Sequence, residues 1–138
     1  MIRSPGGPLC EPWPPWPRRR IFVPVSVPSG TVTAILRRSC YDCHSNETVW
    51  PWYSRVAPVS WLVTSDANHG RRHVNFSTWN RYSDAERAQR LNEIREQVSE
   101  GEMPLPVYLV MHCAAALTDS DRQLLRAWTS SGGTGGQR

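Results

Sequence analysis

The five residues Cys40-Tyr41-Asp42-Cys43-His44 constrain the fold of this chain more than any other part of its sequence. Two cysteines separated by two residues and followed directly by a histidine form a CxxCH motif, the attachment sequence for c-type haem. In such a site the cysteine sulfurs form thioethers to the porphyrin edge, and the histidine ligates the iron. The motif therefore predicts a covalently attached haem c, bound through Cys40 and Cys43, with His44 as an iron ligand.

The ends of the chain do not resemble a packed core. The chain has 138 residues, eight of its twelve prolines precede Gly30, and residues 129–138 read TSSGGTGGQR. We expect residues 1–30 to be a Pro-rich disordered linker or a misassigned N-terminus, residues 31–130 to be the haem-binding domain, and residues 131–138 to be a flexible tail. A domain of that size is marginal if apolar burial alone stabilises it, so a buried porphyrin would add needed apolar surface.

Helical patterns dominate the rest of the sequence. Residues 31–39 lack Gly and Pro, the segment after Pro58 suits a helix start, and two capping boxes begin at Ser83 and Thr118. Apolar residues follow at helical spacing: Val32, Ile35 and Leu36, then Ala88, Leu91, Ile94 and Val98 up to Gly101, then Leu117, Leu124, Leu125 and Trp128. No alternating strand pattern occurs. The sequence predicts a mostly α, small cytochrome c-like domain whose long loops wrap around the haem.

Four aromatic residues cluster just after the motif: Trp50, Trp52, Tyr53 and Trp61. The stretch has few aliphatic residues, so we expect at least two of these rings to line the haem. Tyr and Trp also carry a hydrogen-bond donor that can reach a propionate.

A second axial ligand must come from elsewhere in the chain, and the candidates are Met103, Met111, His69, His73 and His112. Met103 lies between Gly101 and Pro106, where two prolines stiffen the backbone and allow a side chain to be aimed. Met111 follows two aliphatic residues and is expected to fill the core. His112 suits a structural hydrogen bond as well as ligation.

Three other interpretations of these residues stay open. Cys40, Cys43, His69 and His73 together form the ligand set of a structural zinc site. A thioredoxin-like dithiol is a further alternative, although its usual βαβ pattern is missing. A peroxidase-like haem enzyme would keep the distal iron position open, but no Arg and His pair indicates a distal peroxidase site.

All sixteen basic residues are arginines, and the net charge is +4. The arginines are scattered, with no basic stripe interleaved with aromatic rings, so nucleic acid is not an expected partner. No apolar stretch is long enough to cross a membrane. Two pairs, at residues 37–38 and 71–72, are expected near an exposed edge, where a mildly positive face would favour redox partner proteins that are acidic at the docking face.

Several motifs in one order resemble the small bacterial haem-binding domain family of c-type cytochromes. They are the run from Ile35 to Tyr53, the segment Pro58 to Trp61, the segment Gly70 to Ser77 with Trp79, and the segment Gly101 to Pro104. The resemblance covers about Ala34 to Trp128. It implies His44 as the proximal ligand and Met103 as the distal ligand.

With both axial positions filled, the family resemblance favours an electron carrier over an enzyme. It also implies export, and we expect a periplasmic protein, although the chain shows no convincing signal peptide. Family members usually carry an N-terminal membrane segment followed by a Pro-rich linker, and this chain has the linker alone. It also has Cys113 where the family tends to have proline.

Overall fold

The computed structural model describes residues 30–133. In that range the chain forms helices α1 (Gly30–Ser39), α2 (Tyr41–His44), α3 (Val59–His73), α4 (Asp84–Glu100), α5 (Pro106–Met111) and α6 (Asp119–Ser130). Single turns of 3₁₀ helix lie at Trp52–Arg55 and Cys113–Ala115, and a longer 3₁₀ segment lies at Phe76–Arg81. No strand occurs between residues 30 and 133. The predicted mostly helical fold is confirmed.

The capping boxes fix where α4 and α6 begin. The Ser83 side chain accepts a hydrogen bond from the Glu86 backbone N–H, and the Glu86 carboxylate accepts one from the Ser83 N–H at 2.8 Å. Thr118 and Asp121 make the same reciprocal pair at the start of α6. Helix α4 ends at Gly101, whose φ of 78° is left-handed and favours glycine. These boundaries are the predicted ones.

One buried cluster joins the helices into a core. Its members come from α1, α2, the segment after α3, α4 and α6: Val32, Ile35, Leu36, Tyr41, Val74, Trp79, Leu91, Val98, Leu125 and Trp128. Helix α1 packs against α2 and α6, α4 packs against α6, and α2 packs against α3. The CxxCH motif therefore lies between the core helix α1 and the long helix α3.

Some predictions from the sequence fall outside the described residues, and others need correction. Most of the predicted linker (residues 1–30) and tail (residues 131–138) lies in residues 1–29 and 134–138, which are not described, so the domain boundaries stay predictions. Ala88 and Leu124 belong to the predicted apolar patterns of α4 and α6, but Ala88 is exposed and Leu124 is 38% exposed. The buried faces of these helices are narrower than their sequence patterns predict. Within residues 30–133, no helix is long and apolar enough to span a membrane.

Candidate functional site

The CxxCH motif continues the helical path of α1 with a single tight turn. The Cys40 N–H donates to the Leu36 carbonyl at 2.8 Å, and the His44 N–H donates to the Cys40 carbonyl at 2.9 Å. Cys40 and Cys43 are both free cysteines. Cys40 packs against the core cluster, whereas Cys43 lines an open cavity. The turn thus holds two unbonded thiols three residues apart, of which only the Cys43 thiol borders the cavity.

Both thiols stay protonated at neutral pH. Burial raises the pKa of Cys40 to about 12 and the pKa of Cys43 to about 11. A reactive dithiol depends on a lowered pKa, since the thiolate is the nucleophile. The thioredoxin-like alternative is therefore disfavoured by the surroundings of the cysteines as well as by the helical fold.

His44 is oriented by the end of α3. Its Nδ1 lies 3.0 Å from the Gly70 carbonyl oxygen and 3.1 Å from the Val74 carbonyl oxygen. Because both partners are acceptors, Nδ1 carries the proton and Nε2 keeps its lone pair. Burial lowers the pKa of His44, so the ring is neutral. A neutral imidazole whose other nitrogen donates to a carbonyl is the usual state of a metal-ligating histidine.

A glycine permits this approach of α3 to the motif. A Cβ atom at Gly70 would lie 2.8 Å from the Cys43 carbonyl oxygen and 3.3 Å from the Cys43 Cβ. Real Cβ atoms essentially never come so close to a backbone oxygen, so only glycine allows α3 to pass here. Gly70 therefore serves the site by its lack of a side chain and by its carbonyl, which accepts the hydrogen bond from His44.

The open cavity has a volume of about 340 Å³ and borders α2, α3 and α5. That volume falls within the range of about 300 to 1,000 Å³ typical of small-molecule and cofactor sites. Its lining is mostly apolar and includes seven large side chains that are between 42% and 78% exposed: Val49, Trp52, Val59, Leu62, Val107, Val110 and Met111. So much uncovered apolar surface in one concave place indicates a large apolar ligand.

A polar network forms one edge of the cavity. The Tyr108 hydroxyl donates to the Asp42 carboxylate at 2.7 Å, and the Tyr53 hydroxyl is hydrogen-bonded to His112 Nε2. The Tyr108 and His112 rings stack with centroids 4.3 Å apart. Burial raises the pKa of both tyrosines and lowers the pKa of His112, so at neutral pH all three groups are uncharged.

The sequence patterns did not identify Asp42 and Tyr108 as members of this network. Asp42 occupies one of the two variable positions of the CxxCH motif, and the motif requires no particular residue type there. Its carboxylate meets Tyr108 across 66 residues of sequence. The only signal in the sequence was that Tyr108 and His112 lie four residues apart on a short helix. This spacing does not identify the residues to which they are hydrogen-bonded.

The cavity contains some of the predicted site residues and not others. Cys43, Trp52 and Tyr53 line it. That at least two of the aromatic residues line the haem stays a prediction. Cys40, His44, Trp50, Trp61 and Met103 are not among the lining residues. Trp61 is 72% exposed, and the Trp50 ring lies 5.8 Å from the Arg71 guanidinium.

The expectation that Met111 fills the core is wrong. Its side chain is 56% exposed and lines the cavity, because α5 borders the cavity and contributes no residue to the core cluster. Met103 is half-buried, and its N–H donates to the Gln97 carbonyl at 3.3 Å, just beyond the end of α4. Its role as the distal ligand stays a prediction.

The four-ligand zinc site is not supported by the described residues. His69 and His73 are exposed, whereas Ala67 and Gly70 are the α3 residues buried against the motif. The two histidines are thus not buried with the cysteines. Between residues 30 and 133, no three His, Cys, Asp or Glu side chains are grouped to hold a metal ion.

One arginine of each predicted pair is bonded within the fold, and the exposed basic edge stays a prediction. The Arg71 side chain donates to the Ser45 carbonyl at 2.8 Å and to the Thr48 hydroxyl at 2.6 Å, which ties the loop after the motif to α3. Arg38 forms a 2.6 Å ion pair with Asp121. These two arginines are engaged in holding the fold together.

The residues around the cavity fit a haem. An apolar recess with a cysteine in its wall, next to a histidine with an available Nε2, offers both the surface and the ligand that the group requires. The donor set predicted from the sequence stays a prediction, and only Cys43 of the three motif residues lines the cavity itself.

Comparison with known protein families gives one match. The model of the haem-binding domain family matches residues 18–131, which is most of the chain. Searches of curated proteins and of solved structures find no significant match. The family match agrees with the cavity, its apolar lining and the oriented histidine. The chain therefore belongs to the haem-binding domain family.

Proposed function

We propose that this haem-binding domain is a c-type cytochrome that carries single electrons, with its haem attached through Cys40 and Cys43 and its iron ligated by His44. The observation that carries the proposal is the state of His44, whose Nδ1 is held by two carbonyls. Cys43, which directly precedes His44 in the sequence, lies in the wall of an apolar cavity.

Each residue of the motif has a separate task. Cys40 and Cys43 anchor the group at two points, and their high pKa values keep them as thiols until attachment. The carbonyl bonds fix the ring plane of His44 and increase the basicity of Nε2. The haem, when bound, supplies a one-electron ferric/ferrous couple. The apolar lining excludes water and disfavours the extra charge of the ferric state.

Met103 is our proposed distal ligand, on the strength of the family resemblance and its stiff Gly101–Pro106 segment. A neutral thioether favours ferrous iron and raises the reduction potential. Met111 is the alternative methionine, because it lines the cavity. With either sulfur on the iron, no position is open for a substrate, which supports electron transfer.

The peroxidase-like alternative requires an open distal position with a polar group above it. His112 and Tyr53 line the cavity and could serve as such groups. The lining residues, all within the described range, include no arginine to assist peroxide cleavage. We therefore favour the electron carrier.

We further propose that the protein is exported to the periplasm and exchanges electrons with a redox partner protein. Covalent attachment of haem to a CxxCH motif is the reason for proposing export. The proposed acidic docking face of the partner rests on the net charge of the whole chain.

The experiment is to express the chain with a signal peptide and the cytochrome c maturation machinery, then extract the purified protein with acidified organic solvent. Haem should stay with the wild-type protein. In the double variant Cys40→Ala with Cys43→Ala, haem should be extracted completely. A wild-type protein that loses all its haem would overturn covalent attachment, and a colourless protein holding one equivalent of zinc would overturn the haem function itself.

A further inference from the structure

Two histidines form an exposed pair near the C-terminal end of α3. His69 and His73 are both exposed, and their Nε2 atoms lie 3.2 Å apart. Their ring centroids are 4.7 Å apart. The α3 residues that line the cavity are Val59, Leu62, Val63, Asp66 and Ala67, and neither histidine is among them.

The distance between the two nitrogens matches a shared metal ion. Imidazole nitrogens bind first-row divalent ions at about 2.0 to 2.1 Å. Two such bonds place the nitrogens about 2.9 Å apart in square-planar geometry and about 3.4 Å apart in tetrahedral geometry, by simple trigonometry from that bond length. The observed separation lies between these limits, so a metal ion fits without moving the helix.

The backbone holds the pair in this arrangement. Residues four apart in a helix lie on one face, one turn above the other. Although Gly70 lies between the histidines, the helix stays hydrogen-bonded to its end, where the Val74 N–H donates to the Gly70 carbonyl at 3.0 Å. The two ligands are thus preorganised, which reduces the entropy lost on binding.

We propose that His69 and His73 form a two-point binding site for a divalent ion of the nickel, copper and zinc group, with copper(II) bound most tightly. Imidazole ligands suit these ions, and their affinities follow the order in which copper(II) exceeds both nickel and zinc. Because no third protein ligand is grouped with the pair between residues 30 and 133, water fills the other coordination positions.

The test titrates copper(II) into haem-loaded protein at about pH 8, since metal binding requires imidazole nitrogens without a competing proton. Equilibrium dialysis measures affinity, and electron paramagnetic resonance of the copper reports how many nitrogens bind it. The wild-type protein should bind one equivalent with two imidazole nitrogens. His69→Asn and His73→Asn should each weaken binding on the order of 100-fold, because the second ligand of a linked pair acts at high effective concentration.

A swapped variant provides the matched control. Asn68→His combined with His69→Asn keeps the number of histidines but places them five residues apart, about 140° around the helix. Copper binding should fall as far as in the single variants. Equal affinity in the wild-type, His69→Asn and swapped proteins would overturn the proposal. Since copper is measured directly, this result does not depend on how the haem is ligated.

Discussion

At the scale of single residues, the site depends on how His44 is held. Its Nδ1 bonds to carbonyls at positions 70 and 74, at the last turn of α3, 26 and 30 residues along the chain. The motif supplies the proposed ligand, but a distant helix supplies its orientation and its protonation state. We propose that the opposite ligand comes from a different part of the chain, the segment from Gly101 to Met111.

Replacement of Met103 tests that ligand. If its sulfur binds the iron, Met103→Ala should abolish the far-red charge-transfer band of the ferric protein and leave the covalent haem in place. The vacated position should then bind carbon monoxide or cyanide rapidly. Met103→His should restore six-coordination and lower the midpoint potential by a substantial part of the roughly 0.8 V range that axial ligands cover. Absorption spectra and redox titration measure both effects.

Met111→Ala is the matched control for this prediction. Because the Met111 side chain is 56% exposed, its removal should change the free energy of unfolding by only about 0.5 kcal/mol. The charge-transfer band should be unchanged. Loss of the band in the Met111 variant, with retention in the Met103 variant, would assign the ligand to α5.

At the scale of helices, the closest approach in the site is between α3 and the CxxCH turn. Gly70→Ala places a Cβ 2.8 Å from the Cys43 carbonyl oxygen, so the two segments must separate. We expect the free energy of unfolding to fall by about 1 to 3 kcal/mol, as for other overpacked positions. The haem spectrum should also change, because the same turn orients His44.

Gly30→Ala is the control for Gly70→Ala. No atom lies within 4 Å of a Cβ built at Gly30, the first residue of α1. Its replacement should leave stability unchanged or raise it by up to about 1 kcal/mol, by restricting the unfolded chain. Denaturant unfolding of both variants measures the difference. Similar losses in the two variants would contradict the role given to Gly70.

Asp121 joins α6 to α1 and makes stability depend on pH. Burial opposes the charge of this carboxylate, but hydrogen bonds from Thr118 and Arg38 outweigh burial and lower the pKa of Asp121. As the pH falls, the Asp121 carboxylate binds a proton in the unfolded chain before it does so in the folded chain. The stabilisation from the charged carboxylate is therefore present above about pH 4 and is lost as the pH falls further. Asp121→Asn should cost about 1 kcal/mol at pH 7 and less at pH 3.

Urea unfolding at both pH values checks the Asp121 prediction. The control is Asp119→Asn, since Asp119 is exposed in the first turn of the same helix but lies outside the capping box. Removal of its charge should have a smaller effect at pH 7. A constant difference between wild-type and Asp121→Asn proteins from pH 7 to pH 3 would exclude the proposed titration.

Local features of the fold could be predicted from the sequence, and long-range features could not. The starts of α4 and α6 follow from hydrogen bonds between residues three apart, which a sequence pattern contains. The pairing of Tyr53 with His112 joins residues 59 apart, and no local pattern encodes it. The burial of Met111 in the core was wrongly predicted for the same reason. An apolar helix predicts that its side chains are covered, but the pattern does not indicate whether protein or a cofactor covers them.

At the scale of the whole molecule, charge is unevenly distributed along the chain. Residues 30–133 contain eleven arginines and eleven carboxylates, so the described domain has no net charge. The net charge of +4 therefore comes entirely from the residues before and after it, chiefly the triplet Arg18 to Arg20. Two ionised propionates would make the domain itself negative. Any attraction to an acidic partner should originate in the N-terminal segment.

Two triple variants separate these sources of charge. One changes Arg18, Arg19 and Arg20 to Gln, and the other changes three exposed arginines of the domain, Arg81, Arg95 and Arg126, to Gln. Electron exchange with an acidic redox protein is measured from about 10 mM to 150 mM salt, where the Debye length falls from about 30 Å to 8 Å. The wild-type rate should fall steeply as salt increases, because screening weakens the attraction. The N-terminal variant should be slow at low salt and nearly independent of salt, whereas the domain variant, with the same loss of charge, should keep most of the salt dependence. Equal effects of the two variants would show that the partner responds to total charge and not to the N-terminal arginines.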